Sequence, residues 1–209
     1  MSHSASGQSY TGGMGQEAGV IASELSLRGA DGAAVPCYLA EPAGVEHAAG
    51  IVVVPEIFGV SEWIRASARR LAEFGFRAAA ALLRERGARK IASIGFCMGG
   101  TLSLLYSADP IDAAVACYGR LQHPAQPLEA VRRGRCPVLG IYGSRDASIP
   151  LTDVQALRRA LAARPDSEVH LYDAGHAFLN DHRPEHHDSE QAALAWAKIE
   201  GFLLRNLEG

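Results

Sequence analysis

No stretch of this chain stays apolar for the roughly 18 residues that a membrane-spanning helix requires, so no helical membrane protein is expected. No Cys-x-x-Cys pair occurs, and the four cysteines, Cys37, Cys97, Cys117 and Cys136, lack zinc-ligand spacing. No Gly-rich phosphate loop of the Walker or dinucleotide kind is present, so neither a cofactor nor a metal is expected. Charge of one sign is not in excess. A formal net charge of -3 gives no basis for binding nucleic acid or an anionic membrane. Residues 1–19, rich in Gly, Ser and Gln, lack the apolar segment of a signal peptide and read as a flexible N-terminal tail. No linker interrupts residues 20–209, which read as one domain long enough to bury a sizeable core.

The composition is that of an ordinary globular protein, 48% hydrophobic and 21% charged. Its apolar residues fall in alternating strand and helix patterns. Residues 20–28 and 35–40 are predicted strands, joined as an antiparallel hairpin by the Asp31-Gly32 turn signal. The run 51–55 is apolar throughout, as a strand buried on both faces should be. Residues 62–74 follow at helical spacing, with Trp63, Ile64, Leu71 and Phe74 opposite Arg65, Arg69, Arg70 and Glu73, and Gly75 ends the helix. Strands are then predicted at 76–80, 91–96, 111–119, 137–143 and 167–173, with helices at 98–108, 151–163 and 189–206. This alternation predicts an α/β fold: a mostly parallel sheet flanked by helices. Trp63 and Trp196 are expected in the core. Cys37, Cys117 and Cys136 lie in or beside apolar runs and read as buried thiols, which fits a reducing, cytoplasmic compartment. Arg132, Arg133 and Arg135 read as a solvated loop.

The segment Gly95-Phe96-Cys97-Met98-Gly99-Gly100 closes an apolar strand and opens a helix. It is a Gly-x-nucleophile-x-Gly turn in the strand–turn–helix context that such a turn requires. The sharp turn exposes Cys97 at the strand's C-terminal end. Small residues two before and two after it let the strand and helix backbones pass close together. The helix N-terminus adds partial positive charge and free N–H groups, which favour thiolate over thiol.

An α/β-hydrolase orders its catalytic residues along the chain as nucleophile, acid, histidine. Asp146 just after strand 137–143 and His176 just after strand 167–173 fit that order, on loops at strand C-terminal ends where open α/β sheets bind ligands. His176 would take the proton from Cys97 and return it to the leaving group, while Asp146 would fix the imidazole tautomer.

The Cys97 turn, Tyr142–Pro150 (YGSRDASIP), Ala174–Phe178 (AGHAF) and Pro55–Val60 (PEIFGV) together resemble the dienelactone hydrolase (carboxymethylenebutenolidase-like) family, from about residue 20 to 206. The resemblance implies an α/β-hydrolase fold and a cofactor-independent hydrolase acting on a small ester, lactone or thioester. It implies that Glu56 lies beside the cysteine and helps control its protonation. It also implies that the backbone N–H groups of Ile57 and Met98 form the oxyanion hole.

The chain departs from the family pattern twice. A long stretch that family members carry before the nucleophile strand is missing, so residues 76–80 run through 81–90 almost directly into 91–96. A crossover between parallel strands takes about a dozen residues or more. Displacement of strand 76–80, compensation by a partner chain in a homodimer, and a damaged fold are the three outcomes this allows, with 81–90 read as the end of the lost helix. The second departure is Asn180, four residues after the histidine, where dienelactone hydrolases proper carry an Arg. Arg84 and Arg86 are candidate replacements, although an exposed helix face suits them better. His182, His186 and His187 fall in a polar loop that reads as a solvated cover of the site entrance, since Pro184 interrupts any helical ligand pair. The rival functional reading is a non-catalytic binding or dimerisation protein of the same fold. A thiol-dependent transferase is a third.

Overall fold

The computed structural model describes residues 15–17, 19–28, 34–45, 48–78 and 89–207. Its strands are β1 Gly15–Glu17, β2 Val20–Arg28, β3 Ala34–Pro42, β4 Gly50–Val54, β5 Arg77–Ala78, β6 Ile91–Phe96, β7 Ala113–Cys117, β8 Val138–Gly143 and β9 Glu168–Tyr172. The helices are α1 Glu62–Glu73, α2 Met98–Tyr106, α3 Pro127–Arg133, α4 Leu151–Leu161 and α5 Ser189–Leu207. Among the described residues one sheet runs in the order β1-β2-β3-β5-β4-β6-β7-β8-β9. Strands β5, β4, β6, β7, β8 and β9 are parallel, and β1, β2 and β3 extend the sheet antiparallel. The predicted hairpin is present as β2–β3, paired from Val20↔Pro42 to Arg28↔Ala34, while Asp31 and Gly32 lie outside the described residues. Short β1 falls inside the 1–19 stretch and pairs with β2.

Every residue of β6, β7 and β8 is buried. That is the signature of parallel strands covered on both faces, and it is why these runs are apolar without alternation. Helices α1 and α5 cover one face, where Trp63 meets Trp196 edge-on at 6.4 Å. Helix α1 buries Trp63, Ile64, Ser67, Ala68, Leu71 and Ala72, one stripe of the 3.6-residue period. Helices α2, α3 and α4 pack in series on the other face. No helix among the described residues is long and apolar enough to cross a membrane.

The arginines read as a loop partly belong to α3, whose last turn carries Arg132 and Arg133. They are exposed, and Arg132 pairs with Glu129 one turn back.

The residues on either side of the short connection before β6 are seated in the sheet. Strand β5 is not displaced. It sits between β3 and β4, with Ala78 opposite both Ala40 and Ile51. A largely buried ion pair, Arg77 Nε to Glu41 Oε1 at 2.6 Å, ties it to β3. Ala78, the last described residue before the connection, lies beside Ile51, and β6 begins with Ile91 beside Gly50. Ala78 and Ile91 therefore flank the same end of β4, two strand spacings or about 10 Å apart. Of the helix expected at 81–90, residues 81–88, with Arg84 and Arg86, lie outside the described residues, and 89–90 are bends rather than helix.

Candidate active site

Cys97 occupies the turn between β6 and α2 with φ 54° and ψ -115°, a strained left-handed conformation for a residue with a side chain. The glycines around it are dictated by backbone proximity. A Cβ on Gly95 would lie 1.9 Å from the Gly99 carbonyl oxygen, and one on Gly99 would lie 2.2 Å from that of Val54. The Cys97 amide donates to Cys117 O at 3.0 Å, which fastens the turn to β7. Beneath it Phe96 is fully buried among the rings of Trp63, Trp196 and Tyr118, at centroid distances of 5.4, 6.1 and 6.3 Å.

Asp146 follows β8 and His176 follows β9, as the sequence predicts, and the fold brings both to Cys97. His176 Nε2 lies 3.3 Å from Cys97 Sγ, and His176 Nδ1 lies 2.6 Å from Asp146 Oδ2. Burial works against a charged imidazole, but the hydrogen bonds to Asp146 and Cys97 outweigh it and push the His176 pKa up to about 9. Burial likewise raises the Asp146 carboxyl, and hydrogen bonds from His176 and Ser148 more than reverse this, holding it below its usual range. The arrangement is therefore built to hold an imidazolium between a carboxylate and a sulfur.

Glu56 lies on the turn after β4, 7% exposed. Its carboxyl is pushed up by burial, and the positive charges of Arg183 and His176 only partly offset this. Ile57 and Phe58 beside it, and Met98 after the cysteine, are exposed. Met98 is the first residue of α2, where an amide N–H has no carbonyl one turn back within the helix. Asn180 is buried, and its Oδ1 accepts from the His182 amide at 3.1 Å, so it shapes the following loop. In that loop His186 Nε2 meets Arg183, and His187 Nδ1 donates to Phe178 O at 3.0 Å. All four cysteines are free thiols, and Cys37, Cys117 and Cys136 are buried.

Two neighbours of the site escaped the sequence reading. Ser148 donates to Asp146 Oδ1 from both Oγ, at 2.6 Å, and N, at 2.8 Å. Its signal was available, because an Asp followed two residues later by a serine forms a side-chain-capped turn. Tyr118, at the end of β7, packs its ring edge-on to His176 at 5.2 Å. No local pattern announces that contact, which arises only when β7 and the loop after β9 come together.

A strained turn at the C-terminal end of a central parallel strand, faced by a His–Asp pair from the loops after β9 and β8, defines an α/β-hydrolase. The profile of the dienelactone hydrolase family matches residues 35–89 and 78–207. A Salmonella typhimurium protein named "Putative carboxymethylenebutenolidase" is 33% identical over 234 positions, covering 87% of this chain and 86% of that one. The Escherichia coli K12 protein of the same name is 35% identical, covering 80% and 83%. The crystal structure titled "Putative Dienelactone Hydrolase" from Klebsiella pneumoniae superposes with a TM-score of 0.79 at 30% identity, over 89% of this chain and 99% of that one. The chain belongs to the dienelactone hydrolase family, hydrolases of ester and lactone bonds. The Salmonella alignment is longer than the 209 residues of this chain. The relative thus carries sequence missing here, and the family match breaks into two stretches that meet at 78–89, the short connection itself.

Proposed function

We propose that the chain is a cysteine hydrolase of small esters, lactones or thioesters, with Cys97 as nucleophile, His176 as acid–base and Asp146 as its orienting carboxylate. The observation that carries this reading is the continuous line Cys97 Sγ–His176 Nε2 (3.3 Å) and His176 Nδ1–Asp146 Oδ2 (2.6 Å). His176 takes the thiol proton, and the thiolate attacks the acyl carbon. The carbonyl π pair moves onto oxygen, where the N–H groups of Ile57 and Met98 receive it. Collapse expels the alcohol or thiol, which leaves with the proton from His176. Water then gives a proton to His176 and attacks the acyl-cysteine, releasing the acid and restoring the thiol. Glu56, buried beside this line and with a raised pKa, serves as the carboxyl that influences where the thiol proton rests.

The test is hydrolysis of p-nitrophenyl acetate by the purified chain beside Cys97→Ala. Activity in the wild type, lost in a folded Cys97→Ala, is the expected result. Equal activity in both, or none in either, overturns the reading in favour of a non-catalytic protein of this fold.

A further inference from the structure

Arg145 stands directly before Asp146, and Asp173 stands three residues before His176, just past the end of β9. The two stretches run side by side at backbone distance. The Ser144 and Arg145 amides donate to Tyr172 O at 2.8 Å and Ala174 O at 3.0 Å, and a Cβ on Gly143 would lie 2.3 Å from Ala174 O. The Arg145 side chain adds a second layer of contact. Its Nε lies 2.9 Å from Asp173 Oδ1, and its Nη2 donates to Asp173 O at 2.6 Å. The same Nη2 lies 3.8 Å from Oδ2 of Asp188, the residue before α5. Two further bonds close a ring. The Gln191 amide donates to Asp188 Oδ1 at 3.1 Å, and the Asp173 amide donates to Gln191 Oε1 at 3.2 Å.

The ring Arg145–Asp173–Gln191–Asp188 joins the loop that carries Asp146, the loop that carries His176 and the first turn of α5. With side chains 63% and 78% exposed, the Arg145–Asp173 pair adds little to global stability. Its effect is local, on two loops whose side chains meet at 2.6 Å, His176 Nδ1 to Asp146 Oδ2. A misplacement of about 1 Å in such a line is enough to slow a reaction severely. We propose that Arg145 is a positioning residue of this site, clamping the stretch before His176 so that the imidazole keeps its contact with Asp146. It acts through the two loops and not on the substrate. The inference rests on Asp146 and His176 being the partners of Cys97.

Arg145→Ala and Asp173→Asn, alone and together, test it. The readouts are kcat with p-nitrophenyl acetate and the His176 pKa, followed by NMR of the ring protons and assigned with His176→Gln. In each single variant kcat is expected to fall by about three- to tenfold at unchanged KM. The double variant should fall no further than the weaker single, because both remove one contact. Melting temperatures should stay within about 3 °C of wild type. The His176 pKa should fall in Arg145→Ala, and the sign is decisive. Deleting a nearby cation with no other consequence raises the pKa of an imidazole, whereas a loosened Asp146 contact lowers it. The other titratable groups facing His176 are Cys97, Glu56 and Tyr118, which all the variants keep. An unchanged or raised His176 pKa in Arg145→Ala, an unchanged kcat, losses that multiply in the double variant, or a melting temperature that collapses with kcat overturns the proposal. Failure of the underlying reading looks different: Cys97→Ala then retains hydrolysis, or neither protein hydrolyses the ester, and the His176 pKa alone decides whether the clamp exists.

Discussion

Ser148 grips Asp146 twice through one oxygen. Its hydroxyl and its amide both donate to Oδ1, which leaves Oδ2 to His176. The Ser148 hydroxyl also lies 3.3 Å from His176 Nδ1. Ser148→Ala keeps the amide contact and loses the hydroxyl. Hydrogen bonds to charged groups are worth about 1.5–3 kcal/mol, so kcat/KM is expected to fall by roughly tenfold or more, mainly through kcat. Unchanged kcat would show that the amide alone orients the carboxylate.

His176 gives a signed dependence of stability on pH. Its folded pKa of about 9 lies above its ordinary 6.5, so the folded state holds the proton more tightly. The resulting stabilisation is complete below about 6.5 and is lost as pH rises through about 9. Melting temperatures of wild type and His176→Gln, measured from pH 6 to 10, should converge toward the alkaline end. Parallel curves would contradict the raised pKa.

Gly95→Ala places a methyl group 1.9 Å from the Gly99 carbonyl oxygen, a backbone atom that moves only if the turn opens. A loss of about 3 kcal/mol or more is expected, read by urea denaturation. Gly201→Ala is the counterpart. It lies inside α5 with nothing nearer than Arg205 at 3.5 Å, and it should gain up to about 1 kcal/mol. Similar effects at both positions would show that the close approach at the turn is not decisive.

Arg77 links β5 to β3 through Glu41 with its side chain only 9% exposed. Arg77→Ala removes the guanidinium that meets Glu41 at 2.6 Å in a largely buried place, for an expected cost of about 3 kcal/mol. A cost below about 1 kcal/mol, typical of an exposed pair, would mean that the two-residue strand is held by its backbone alone.

The α/β class, the parallel core and the positions of Cys97, Asp146 and His176 were legible because each has a local signature. Runs such as Ile91–Phe96 are apolar throughout, and the three site residues stand one turn beyond strands. Helix α3 was obscured because its seven residues hold fewer than two periods, and its buried Pro127, Ala130 and Val131 do not form a conspicuous apolar run. The ring contact between Tyr118 and His176 was invisible because it joins residues far apart in sequence. The short connection was correctly seen as a break in the family pattern. The register that seats Ala78 and Ile91 on either side of β4 is not revealed by a pattern of apolar residues.

The family match is split at 78–89, the stretch that leads into β6. Strand β6 starts at Ile91 and runs straight to Phe96, with Cys97 next. The place where this chain departs from the family pattern and the strained Cys97 turn are therefore the two ends of a single buried strand, six residues apart.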